Sequence, residues 1–148
     1  MMYQKAACLH RTGRARRGTS LIEMAVVFPI VVLMLLGAMD MAMLVYAYTT
    51  VAEAARGGAR YAMVNGSMSG SPVGPTADNA TVATIVQSYA PAFDTTRLTV
   101  HSTWPSGSNN ATCPVTVSTT YTCPLIIGHL IGVSSVNVTG SSTMLITH

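Results

Sequence analysis

Charge is what this sequence has least of. Only 9% of its 148 residues are Asp, Glu, Lys or Arg, where an average globular chain carries roughly 25%. So little charge excludes the surface of an ordinary cytosolic domain. At 49% hydrophobic the chain is too apolar to stay disordered. Its length allows one compact domain, or a small domain with an appendage. Acid is missing altogether before Glu23, and no charge of either sign lies between Met24 and Met39. From residue 63 onward only Asp78, Asp94 and Arg97 are charged, among many Ser, Thr, Asn and Gly. That scarcity makes the region a poor place for acid–base catalysis, and suits a surface outside the cytoplasm or packed on neighbours. No small-molecule substrate is expected. His101, His129 and His148 have no ligand spacing and no carboxylate or cysteine close in sequence, so neither a metal nor another cofactor is expected.

The charge that is present is unevenly placed. Lys5, Arg11, Arg14, Arg16 and Arg17 precede residue 18, so the total of +3 leaves −2 for residues 18–148. A nucleic-acid binder needs its basic face on the folded part of the chain; here the basic excess is a leader, and nucleic acid is not an expected partner. From Leu21 to Val51 the chain is apolar apart from Glu23, Pro29, Gly37, Asp40 and a few Thr and Tyr. The uncharged stretch is slightly short of the ~20 residues a membrane helix wants. Extension through Asp40 to the interfacial pair Tyr46 and Tyr48 supplies the rest. Basic residues on the N-terminal side place that end in the cytoplasm.

Nothing stops the helix there. Glu53 and Arg56 make a favourable i,i+3 pair, while Arg56 and Arg60 repel mildly at i,i+4 unless a partner supplies acid. Gly57 and Gly58 weaken the helix by roughly 1 kcal/mol each, and Asn65-Gly66 ends it. One helix from Leu21 to Met63 is expected, kinked at Pro29. Residues 64–76 read as a Gly-, Ser- and Pro-rich linker. Asp78 or Asn79 then caps a short helix with Val82, Ile85, Val86 and Tyr89 on one face, and Pro91 ends it. Leu98, Val100 and Trp104 share one face of a strand, and Val115, Val117 and Tyr121 share one face of another; the two form an antiparallel hairpin. The run 124–132 reads as a short buried turn or helical segment, with two further strands at Val133–Val138 and Met144–Ile146. The fold class is α+β: a long N-terminal helix, then one helix on a small antiparallel sheet.

The junction Arg16-Arg17-Gly18-Thr19-Ser20-Leu21-Ile22-Glu23 resembles that of a type IV prepilin. It has a basic tail, a Gly, and a Glu five residues on at the head of an apolar helix. Further residues resemble the TadE-like family, the pseudopilins or minor pilins of tight-adherence (Flp) pilus systems. They are Glu23 to Pro29, then Gly37 and Asp40, then the Ala-rich run Ala54 to Ala62 with Arg56, Arg60 and Tyr61. Val115–His148 is similar to the family's closing strands. Two departures stand out. Gly57-Gly58 replaces better helix formers, which points to a hinge, and Met24 follows the Glu where the major Flp pilin has Tyr, which points to an accessory subunit.

The resemblance implies removal of a leader, residues 1–18, by a prepilin peptidase that cuts between Gly18 and Thr19. It also implies insertion in the inner membrane, and partnership with other pilin subunits, the pilus assembly machinery and membrane lipid. It implies no enzymatic activity of the chain's own. Residues 19–63 would be the transmembrane and extended helix, and 77–148 the extracytoplasmic domain. Glu23 would be an unpaired charge in hydrocarbon, costing about 3 kcal/mol, until a neighbouring subunit's new Thr19 ammonium neutralises it. Asp40 would either pair with a basic group on a neighbour or sit at the outer headgroup boundary. Arg56 and Arg60 would either grip a partner or lie on a solvated face.

Loss of Cys8 would leave Cys113 and Cys123 as an even pair in an oxidising compartment. A strand across 114–122 separates them by about 30 Å, whereas a disulfide needs about 7 Å or less; a bridge therefore requires the run to fold back near Ser118-Thr119. The competing reading is a secreted or membrane-anchored adhesin, or another binding module, with an ordinary signal peptide. Its apolar core would be Met24–Leu36, cut near Val45-Tyr46-Ala47.

Overall fold

The computed structural model describes residues 15–128 and 132–147, with side chains from Ser20 onward. Most of the predicted leader, residues 129–131 of the apolar run at 124–132, and His148 lie outside the described residues. Contacts divide the chain into two compact units, Met1–Gly37 and Ala38–His148.

In the first unit the described residues are helix. They belong to α1, Ala15–Val64, which ends one residue before Asn65 as its stop signal requires. Pro29 lies inside the helix. Leu21, Ile22, Phe28, Met34 and Leu35 are all largely exposed.

The second unit is an α+β domain built on the later turns of α1. There the side chains become small. Ala47, Val51, Ala54, Ala55, Ala59 and Ala62 are all buried, at the three- and four-residue spacings that place them on one helical face. Against that face lie α2 (Ala80–Ser88) and three strands, β1 (Leu98–Thr103), β2 (Pro114–Pro124) and β3 (Ser135–Leu145). The sheet is antiparallel in the order β1-β2-β3, with Leu98 opposite Tyr121 and Thr119 opposite Gly140. Val115, Val117, Thr119 and Cys123 of β2 point inward and are buried. The alternate positions form a hydroxyl-rich outer face, tied by Thr116 to Thr143 at 2.8 Å and Thr120 to Thr139 at 3.0 Å.

The short helix forms for local reasons. The Asn79 side chain accepts from the Thr81 N–H at 2.9 Å, a cap that satisfies one orphan donor. Val82 and Val86 are fully buried. The hairpin of β1 and β2 follows the expected apolar alternation.

Three expectations need correction. The two closing strands are one, because β3 runs unbroken through the polar Thr139-Gly140-Ser141-Ser142. A Cβ on Gly140 would come 3.0 Å from the Ala52 backbone, so this glycine lets β3 pass close over α1 rather than turn. Gly57-Gly58 is not a hinge, since α1 is continuous through it. A Cβ on Gly58 would meet the Val86 Cγ2 at 2.5 Å, and one on Gly57 would meet the Tyr89 ring at 2.5 Å; their bareness lets α2 lie close against α1. The turn after β2 is not wholly buried: Ile126 is 51% exposed.

Candidate assembly and anchoring site

Glu23 lies in the first unit, exposed, and has no ion-pair partner among the described residues. Gly18 and Thr19 are helical in backbone. The helix Ser20–Val64 contains a window long and apolar enough to cross a membrane, none of it buried by the rest of the protein. Lipid, or other helices, would cover such a surface; water would not.

Asp40 belongs to the domain. Its two carboxylate oxygens accept the backbone N–H groups of Ile126 at 3.0 Å and Ile127 at 2.8 Å, and it is only 7% exposed. A buried carboxylate is costly unless hydrogen-bonded, and here the start of the β2–β3 connection supplies both donors. The acid therefore has a partner within its own chain. Leu44 and Ala47 continue this contact one and two turns on, packed with Cys123, Val138 and Tyr121. The apolar span expected to reach Tyr48 is thus covered on one side from Asp40 onward. Phe93 stacks on Tyr121 with ring centroids 4.1 Å apart and meets Tyr46 edge-on at 5.9 Å.

Arg56 and Glu53 form the expected i,i+3 pair at 2.7 Å, with both side chains exposed. Such a pair is worth a few tenths of a kcal/mol. Arg60 has no ion-pair partner among the described residues. It stands at the edge of an open groove of about 540 Å³ between α1 and α2, lined also by Gly57, Tyr61, Ile85 and Tyr89.

Cys113 and Cys123 are both free. Cys113 directly precedes β2 and Cys123 lies near its far end; the strand stays extended through Ser118-Thr119, so the fold-back a bridge requires does not occur. Burial, and then the nearby Asp40 carboxylate, push the Cys123 thiol above its ordinary range. His101 meets Asp78 at 3.0 Å on the exposed side. No group of three or more His, Cys, Asp or Glu side chains that could hold a metal occurs among the described residues.

The apolar helix with an acid near its head, the small-residue face and the arginine pair all fall within one segment. Residues 18–60 match the family model of TadE-like proteins. That match begins at the Gly of the predicted cleavage junction and ends at Arg60, so the likeness drawn for Val115–His148 lies beyond it. No curated protein and no solved structure matches the chain. The TadE-like segment suggests involvement in a tight-adherence pilus. It takes in Glu23, Asp40, Arg56 and Arg60, but not the residues that hold Asp40, which sequence reasoning missed. Their one visible signal was Leu125-Ile126-Ile127, apolar where a connection between strands is normally polar.

Proposed function

We propose that this protein is a minor pilin or pseudopilin that takes part in assembly of a tight-adherence pilus. A prepilin peptidase cuts it between Gly18 and Thr19. The mature chain remains in the bacterial inner membrane through α1, with its N-terminus on the cytoplasmic side and residues from about Asp40 onward in the periplasm. From Ser20 to Met39 there are about twenty residues, the number a bilayer asks of a helix. The observation that carries the reading is the TadE-like match starting at Gly18, on a helix whose apolar surface is left uncovered. Glu23 then finds its counter-charge in the α-ammonium of a neighbouring subunit, which fixes the stagger between helices. Arg60, with the groove beside it, is available to an acidic group on the assembly machinery. The chain is the substrate of a peptidase and catalyses nothing itself.

Mass spectrometry of the membrane-extracted protein tests the processing. A mature N-terminus at Thr19 is expected; an intact Met1 would sink the proposal. Glu23→Ala should insert normally yet abolish piliation, and wild-type piliation would remove the role given to the carboxylate. An adhesin released by signal peptidase would instead begin near residue 48. Against that reading, such a cut removes Asp40 and Leu44 and leaves the Ile126 and Ile127 N–H groups without their acceptors.

A further inference from the structure

The β2–β3 connection returns to the place on α1 where the domain begins. The Thr147 N–H, just past β3, donates to the Met63 carbonyl at 3.1 Å, while Ile126 and Ile127, just past β2, reach Asp40. From Asp40 to Met63 the helix rises about 35 Å, and the eleven residues of β2 extend about 36 Å. The sheet therefore runs alongside α1, and this connection sits at the Asp40 end.

The exposed side of its described residues is wrong for water. Pro124 to Gly128 carries no charge, Ile126 is half exposed, and Val133 on the returning side is 44% exposed. On α1 the neighbouring Met39, Met41 and Met43 are exposed as well. The one acid at this corner, Asp40, is turned inward with both oxygens occupied. Connections in water are ordinarily polar, and an exposed apolar patch marks a surface that meets something apolar.

We propose that the turn at Leu125–Gly128 is a lipid-contacting foot, lying in the interfacial layer of the bilayer that α1 crosses, with Ile126 and Val133 among the headgroups and upper acyl chains. This rests on the reading of α1 as a membrane anchor. Lipid is the occupant because the helix turn that carries the exposed Met39, Met41 and Met43, to which Asp40 ties this connection, follows the apolar span directly in sequence. Asp40 serves as the clamp that holds the foot at that height.

Trp104 is the only tryptophan in the chain and is buried in the core, at the end of the sheet away from Asp40, so it gives a constant background. The full chain is reconstituted in phosphatidylcholine–phosphatidylglycerol vesicles whose acyl chains are brominated, as wild type, Met34→Trp, Ile126→Trp, Val133→Trp and Ser141→Trp. The added emission of Met34→Trp, Ile126→Trp and Val133→Trp should fall at least two-fold relative to unbrominated vesicles, and that of Ser141→Trp, on the outer sheet face, should not. If Met34→Trp is quenched while both foot variants are not, the foot is overturned and the anchor stands; that surface then serves a protein. If Met34→Trp is not quenched either, the anchor reading fails and takes the foot with it. Two foot positions guard against one substitution disturbing the turn.

Discussion

Two stretches of the same helix face different surroundings, and side-chain size separates them. Before residue 37, α1 carries Leu, Ile, Val, Phe and Met, most of which remain exposed in the folded chain. After Ala47, the face that meets the sheet and α2 is Ala, Gly and one Val, buried almost completely. Both stretches are apolar, so hydropathy alone does not distinguish them. A helix that meets fluid lipid gains from large side chains, which fill space the solvent adapts to. A helix that meets a sheet edge-to-backbone must shed bulk, because interiors are packed at crystal-like density and an added methyl group is felt.

Substitutions can break that comparison at chosen points. The largest effect is expected at the boundary between the stretches. Asp40→Ala removes two charge-assisted hydrogen bonds, from the part-buried N–H groups of Ile126 and Ile127, at about 1.5–3 kcal/mol each, so equilibrium denaturation of the detergent-solubilised chain should show a loss of about 4 kcal/mol. Asp40→Asn keeps one acceptor and should lose about half as much. Next comes Gly140→Ala, whose new Cβ meets the Ala52 backbone with no flexible group to yield; a loss of about 2 kcal/mol is expected from overpacking. Gly58→Ala should cost about 1 kcal/mol, since Val86 is buried and stiff, and this outweighs the helix propensity gained. Gly57→Ala should come out near zero, because the half-exposed Tyr89 ring can swing aside. Equal effects at the two glycines would mean that α2 does not set their identity. On the uncovered apolar stretch, Leu35→Ala should leave domain stability unchanged within about 0.5 kcal/mol.

The smallest effect is a pH dependence. Hydrogen bonds from the Thr96 side chain and backbone hold the Asp94 carboxyl below its ordinary value of 3.8. Its contribution is therefore complete above that value and is lost as pH falls through the lower folded value. In Asp94→Asn this part of the acid-side slope should disappear from a denaturation series.

How much of this could be read beforehand depended on the range of the interaction. The short helix was legible because Asn79 and the spacing of Val82, Ile85 and Val86 are local. The hairpin was legible because apolar residues alternate on both its strands. Asp40 was legible as an anomaly, an acid in an apolar run, but its partners lie 86 and 87 residues away and are backbone groups that any residue carries. Glycine misled at Gly57-Gly58. It both loosens a backbone and permits close approach, and only the neighbour across the gap tells which use applies. At Gly58 that neighbour is Val86.

The sheet is fastened to α1 at both its ends, by Asp40 at one and by Met63 at the other. Tension applied along the helix is therefore shared with strands that lie beside it, and it loads their ladders in shear. All the bonds of a ladder then resist together, where a pull across the strands would part them one after another. A subunit hauled lengthwise by its helix would be gripped along the direction in which its domain is hardest to tear.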